Sequence, residues 1–407
     1  LPKNTRLAYL CSCYPAVSHT FILREIEGLQ KQGVEVHPFS MRPGHILEGA
    51  SDFEKQQLAE TWCILGQGLV AVLVSQFSQL IRSPFGYLGG IFFALTLHRG
   101  CPRETLWALF HFAEAAMLAR QMRKRHLKHV HVHFAGPETH VALYASRAFG
   151  ITYSFTLHGP DHLYNVALGN LEAKIEHAAF VICISHYATS QVLRLAGPDA
   201  LSRTHIVHCG VDPAQFSPVH RQDSFQERPF TIVCTGRLTP TKGQALLVLS
   251  CAELLRHGRK LRCYLIGSGS EMQTLQKMID EHDMGDSVIL TGALPQEGVR
   301  QHLAEADLFV LPSFAEGVPV VLMEAMSMEI PCITTRVGGI AELIEDGHDS
   351  WLVHAGDTGT LTERLKTAMD NPEALPEMGR QARAKIISEF HIAGCTTLLA
   401  SIYEKRL

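Results

Sequence analysis

Two hydrophobic periods alternate along this chain. Short, continuous runs of β-branched, aromatic and other apolar residues, such as "RLAYLCSCY" and "VEVHPFSM", predict buried strands. Segments with an apolar residue every third or fourth position, such as Thr20–Gln32 and Glu104–Arg125, predict amphipathic helices. In the first half the strand pattern returns in "HVHVHF", "TYSFTL" and "AFVICIS". In the second half it returns in "FTIVCTG", "LRCYLIG", "SVILTG", "DLFVLPS" and "PCITT", each followed by a helical segment. Apolar runs alternating with helices predict parallel sheets covered on both faces. The stretch "HCGVDPAQFSPVHRQDSFQERP" (208–229) breaks the rhythm with three prolines and no period, and predicts an interdomain linker. The expected architecture is α/β, with two Rossmann-like, doubly wound domains over 1–212 and 213–390. A last helix, about 391–407, is expected to pack back on the first domain. Such sheets bind ligands at the C-terminal ends of their strands, so facing domains predict one interdomain cleft.

Composition narrows the classes. The 407 residues are 46% hydrophobic and 19% charged, which fits globular domains and excludes a disordered chain. A net charge of −4 gives no global attraction to nucleic acid. Of eleven cysteines only Cys11 and Cys13 lie close together, within a predicted strand, as expected for buried thiols in a reducing cytoplasm. "LAYLCSCYPAVSHTF" lacks the cleavage box of a signal peptide. The insert 64–97 holds two apolar stretches, Leu69–Ile81 and Phe85–Leu97, of about a dozen residues each. Both are short of the ~20 that span a bilayer. With the basic run "RQMRKRHLKH" (120–129) they could meet a lipid surface; ordinary core helices are the other reading.

Three strand-to-helix turns carry candidate chemistry. "GRLTPTKG" (236–243) places Arg237 and Lys242 at the C-terminal edge of a sheet beside a helix N-terminus. A planar guanidinium and a compact ammonium there suit a diphosphate; a solvated basic turn is the alternative. "LIGSGSE" (265–271) is a partial dinucleotide fingerprint with Met272 in place of its third glycine. It marks a tight turn at Gly267 and Gly269 near a ligand rather than a nicotinamide site. In "SFAEGVPVVLMEAM" Pro319 is expected in the first helical turn, with Glu316 and Gly317 in the loop at the helix mouth and Glu324 more than a turn inside. The N–H groups of Val320 and Val321 are first-turn donors for a phosphate oxygen, and the two glutamates suit sugar hydroxyls. A capping Glu316 and a surface Glu324 form the other reading. His129, His131 and His133 share a strand face, where they could hold a metal or be ordinary strand residues.

The spacing of Glu316 and Glu324, with "GRL…KG" and "GSG" before it and "VGGIAELIEDG" after it, resembles glycosyltransferase family 4. "YPAVSHTFILREIEGLQKQGVEV", "HVHFAGPETHVALYASRAFGITYSFTLHG" and "HAAFVICIS" are similar to its colanic-acid, exopolysaccharide branch. The resemblance covers nearly the whole chain. It implies the GT-B fold and a retaining transfer of a hexose from a UDP- or GDP-sugar to a saccharide hydroxyl. The implied acceptor is carried on a polyprenyl diphosphate. At matching positions it implies that Arg237 and Lys242 bind the donor diphosphate, Glu316 the donor sugar and Glu324 the ribose. Gly292 to Leu294 would border the base. His158 would face the transferred sugar, and the loop Pro15–His19, with Ser18 and His19, would approach the phosphates. Ala16, Val17 and Ser18 stand where many relatives carry paired glycines, and Glu329 and Ser350 where single glycines are usual. No metal, cofactor or nucleic acid is expected. The implied setting is cytoplasmic, peripheral at the inner face of the membrane. A sugar-nucleotide epimerase and a non-catalytic saccharide-binding subunit are alternatives built on the same motifs.

Overall fold

The computed structural model describes residues 5–17, 19–98, 101–159, 166–219 and 228–407. The chain forms two compact units: Leu1–Ile46, Ala50–His208 and Cys395–Leu407 in the first, Leu47–Gly49 and Cys209–Gly394 in the second.

The first unit is built on seven parallel strands: β1 (Arg6–Tyr14), β2 (Glu35–Pro43), β3 (Trp62–Cys63), β4 (His129–His133), β5 (Thr152–Leu157), β6 (Phe180–Cys183) and β7 (Thr204–Ile206). Their order is β3-β2-β1-β4-β5-β6-β7. The two-residue period of β1 explains why both faces are covered. Ala8 and Leu10 enter a core with Val130, Val132 and helices α4 (Pro84–Leu97), α5 (Pro102–Lys124) and α6 (Pro137–Phe149). Leu7, Tyr9 and Cys11 enter a second core with helix α1 (Thr20–Lys31) and the C-terminal helix Ile392–Arg406. That last helix is also tied by a buried 2.7 Å hydrogen bond between the hydroxyls of Tyr403 and Tyr9.

The second unit holds six parallel strands: β8 (Phe230–Thr235), β9 (Leu261–Ile266), β10 (Val288–Gly292), β11 (Leu308–Leu311), β12 (Cys332–Thr335) and β13 (Trp351–Val353), in the order β10-β9-β8-β11-β12-β13. The pattern of the sequence predicts every strand of four residues or more. It misses β3, β7 and β13, which have two or three residues and lie at sheet edges. Helix α2 (Asp52–Glu60) was also unforeseen, although Ser51 and Glu54 form a complete capping box at its start.

The apolar insert forms helix α3 (Gly68–Arg82) and α4, and the chain bends by 116° between them. No single described helix is long and apolar enough to cross a membrane.

Candidate active site

A doubly wound sheet opens a crevice where its strand order reverses, because the loops on either side lead away in opposite directions. In the second unit this point lies between β8 and β11. Lys242 follows β8 and Glu316 follows β11, and Lys242 Nζ lies 2.6 Å from Glu316 Oε1. Ser313 Oγ donates to the same oxygen at 2.6 Å, and the Thr335 hydroxyl donates to the Ser313 carbonyl. Only 8% of the Glu316 side chain is exposed, so the ion pair and the hydroxyl are what make its burial tolerable. The sequence motifs give Lys242 and Glu316 separate duties; the structure joins them.

The neighbouring turns are laced through their backbones. The N–H of Gly236 donates to the Ile266 carbonyl at 2.9 Å, that of Leu238 to Ser268 at 3.0 Å, and that of Gly267 to Gly292 at 2.9 Å. Gly267 permits this approach, since a Cβ there would fall 1.9 Å from the Gly236 oxygen. Gly243 has φ +65° and sits against the Pro312 carbonyl, which a Cβ would meet at 2.1 Å. Arg237 is exposed on this scaffold, and its carbonyl accepts a 3.0 Å hydrogen bond from Gln244 Nε2. Gly292 ends β10, and Leu294, half-buried, follows it.

The glutamate loop corrects one detail. Pro319 is the N-cap and not the first helical residue, and the helix runs Val320–Ser327. Val320 and Val321 are therefore its first two N–H donors. Glu316 does not cap this helix, and Glu324 is buried at 6% exposure, so the capping and surface alternatives fail. The Gly317 carbonyl accepts from the Gly339 N–H at 2.9 Å, which fixes the loop. Ser350, in a usual glycine position, accepts the Cys332 N–H on its hydroxyl at 3.1 Å and so anchors β12.

In the first unit the strand order reverses between β1 and β4. Ser18 lies outside the described residues. His19 packs against Phe134, with ring centroids 5.2 Å apart, and its Nδ1 is 3.3 Å from the Cys13 carbonyl. His158 packs against Phe21 and Phe134 at 4.7 and 4.9 Å. The two candidates thus share one aromatic cluster. His158 Nε2 also lies 2.8 Å from His133 Nδ1, and His133 Nε2 is 3.4 Å from the Glu25 carboxylate. Tyr9 donates to Glu25 at 2.8 Å, which extends the chain to Tyr403.

Sequence reasoning weighs His133 only as a metal ligand, not as a partner of His158, and does not select Glu25 or Ser313. The signal for His133 was present: β4 and β5 are parallel, and His133 pairs with Thr156, two residues before His158. The other strand histidines are structural. His129 bridges the hydroxyls of Thr152 and Ser154, and His131 bridges those of Ser154 and Thr156, all at 2.7 to 2.9 Å. Burial pushes His129 down to about 3 and His131 well below the usual histidine range, so both are neutral. Donor atoms of Glu25, His131 and His133 lie within 4.8 Å of one another. Both His131 nitrogens and the Glu25 carboxylate are, however, already engaged by hydroxyls, so the group fits a hydrogen-bond network better than a metal.

Two parallel α/β units, each with polar side chains at its own switch point, define the GT-B class. A solved structure of Anabaena Alr3699/HepE in complex with UDP and glucose shares this fold, with a TM-score of 0.75 at 17% identity, over 98% of this chain and 100% of that one. Residues 18–215 match the family model described as Glycosyltransferase Family 4, and residues 216–385 match that of Glycosyl transferases group 1. The chain is a glycosyltransferase, and the two models together match residues 18–385. It is 26% identical to the putative colanic acid biosynthesis glycosyltransferase WcaL of Escherichia coli, over 96% of this chain and 97% of the relative. It is 25% identical to the amylovoran biosynthesis glycosyltransferase AmsK of Erwinia amylovora, over 98% and 99%.

Proposed function

We propose that the enzyme moves a sugar, with retention of configuration, from a nucleotide-diphosphate sugar to a hydroxyl of a polyprenyl-diphosphate-linked saccharide during cell-surface polysaccharide synthesis. The observation that carries this reading is the Lys242–Glu316 pair at the mouth of the helix Val320–Ser327. It puts a cation, a carboxylate and free N–H donors at one sheet edge, as a sugar diphosphate requires. The relatives named for colanic acid and amylovoran biosynthesis support the pathway class.

In the reaction the bond from the anomeric carbon to the donor phosphate breaks, and a bond to the acceptor oxygen forms on the same face. The acceptor proton passes to the departing phosphate oxygen. Arg237, Lys242 and the N–H groups of Val320 and Val321 stabilise the charge that develops on the diphosphate, so the chemistry needs no metal. Glu316 orients the donor sugar and Glu324 the ribose, while Gly267, Gly292 and Leu294 border the nucleoside. His158, held by His133, is the first unit's candidate for contact with the transferred sugar.

A panel of nucleotide sugars, screened for thermal stabilisation and then for nucleotide release, tests this. One donor should raise the melting temperature, and nucleotide should appear only with a saccharide acceptor, in a product of unchanged anomeric configuration. Glu316→Ala should lower turnover about a hundredfold while donor binding persists. Unchanged turnover would remove Glu316 from the mechanism, and epimerised donor without acceptor would make the enzyme an epimerase.

A further inference from the structure

Helix α3 is inside out. The residues it buries are Ser75 and Gln79. Gln79 Nε2 donates to the Ala116 carbonyl of α5 at 3.2 Å, and its Oε1 accepts from Arg123 at 3.0 Å. Gln76 donates to the Ala113 carbonyl at 3.1 Å and accepts the Tyr87 hydroxyl of α4 at 3.0 Å. The outward face carries Leu69, Leu73, Phe77 and Ile81, each between 61% and 74% exposed. Helix α4 continues the pattern: it buries Gly90 and Ala94 and exposes Phe85, Leu88 and Phe92 by 60% to 90%. Trp107 and Phe110, near the start of α5, are half exposed. A helix facing water has the opposite polarity, and patches of this kind mark contact with an apolar partner.

Charge identifies the partner. From Thr61 to Arg103 the sequence has no aspartate or glutamate. Of the two acids of α5, Glu104 lies in its first turn beside Arg103 and Glu114 is buried. Arg82 closes α3, and Arg120 and Lys124 lie along α5, which leaves the face net basic. Two copies meeting through this face would bring like charges together; an anionic bilayer offers both the apolar layer and the counter-charge. The two helices have 15 and 14 residues, about 22 Å each, short of the ~30 Å hydrocarbon core, and their 116° bend rules out a straight span. We propose that α3, α4 and the start of α5 form a docking face that lies in the surface of an anionic phospholipid bilayer. The apolar side chains enter the headgroup boundary, Trp107 sits at the interface, and the arginines meet lipid phosphates. This deepens the lipid-linked-acceptor reading by naming the surface that meets the membrane. Vesicle binding is measured with no sugar present, so its failure and a failure of the transfer reading are distinguishable.

The test is flotation of the full chain with vesicles of phosphatidylcholine alone or with about a third phosphatidylglycerol. The protein should float with the anionic vesicles, and roughly tenfold less with the neutral ones or at high salt. Phe77→Ser with Phe85→Ser should lower anionic-vesicle binding by about a hundredfold with an unchanged melting temperature, since both rings are exposed. Arg82→Glu should weaken only the anionic preference. Absence of flotation by the wild type, or equal flotation by the double serine variant, overturns the proposal. So does a lipid-free dimer that the double variant dissolves, which would assign the face to a second copy.

Discussion

Glu316 keeps a carboxylate in a nearly closed site because two residues attend to one oxygen. The energetic consequence is asymmetric. Lys242→Met leaves an anion buried with only Ser313 beside it, whereas Glu316→Gln removes the charge and keeps an acceptor for that hydroxyl. Lys242 is 19% exposed, so the lower end of the usual penalty applies: Lys242→Met should cost about 2 to 3 kcal/mol in urea unfolding. Adding Glu316→Gln should restore most of it, and strictly additive losses would show that the pair is not coupled. Glu329 offers the converse case. It lies two residues past the helix Val320–Ser327 with φ +61°, where the Glu329 N–H reaches the Met326 carbonyl and the Ile330 N–H reaches Ala325, both at 3.1 Å. These are the two bonds of a Schellman cap, whose left-handed residue is usually glycine. Glu329→Gly should therefore stabilise the protein by about 1 kcal/mol in the same assay and leave turnover unchanged.

At the scale of elements, β4 divides its labour along one face. His129 and His131 tie β4 to β5 through hydroxyls, whereas His133, at the C-terminal end, touches His158. His133→Phe keeps a ring against Tyr9 but loses the nitrogen that orders His158. It should lower kcat by about ten- to a hundredfold at unchanged donor affinity, while His129→Gln should alter stability and not turnover. A parallel fall in donor affinity would mark His133 as merely structural. Much of this was legible in sequence. Long apolar strands announce themselves because both faces are buried, and the glycine turns after β8 and β9 announce the sheet edge. Edge strands such as β3 and β13 were not legible, because two or three residues carry no period and only pairing defines them. The site residues were found one loop at a time. Their pairing, Lys242 with Glu316 and His158 with His133, depends on which loops topology makes neighbours, and a motif does not carry that information. Helix α3 was ambiguous for a related reason: an apolar stripe states amphipathicity but not which side faces the protein.

At the scale of the molecule, the histidines held low by burial divide unevenly. Among the described residues, His129, His131 and His140 are nearly fully enclosed, and all three belong to the first unit. Each is neutral when folded and binds a proton when unfolded, so between the unfolded value near 6.5 and the lower folded value stability rises with pH and is lost on acidification. Each contributes a slope of about 1.4 kcal/mol per pH unit in that window. Glu138, which burial pushes up, acts the other way: above 4.5 the folded state holds a proton that the unfolded state releases. The balance still favours loss of the first unit as pH falls from about 6.5. Tryptophan can follow each unit separately, because Trp62 and Trp107 lie in the first and the buried Trp351 lies in the second. Urea titrations at pH 6.5 and 5 should show the Trp62 and Trp107 transition moving to lower urea well before that of Trp351. His129→Gln should flatten the pH dependence of the first transition by the slope of one proton, because glutamine can bond Thr152 or Ser154 but has no charge to acquire. An unchanged slope would mean that His129 is already neutral in the unfolded chain or protonated in the folded one. In either case the Ser154 network would not account for the acid sensitivity of the fold.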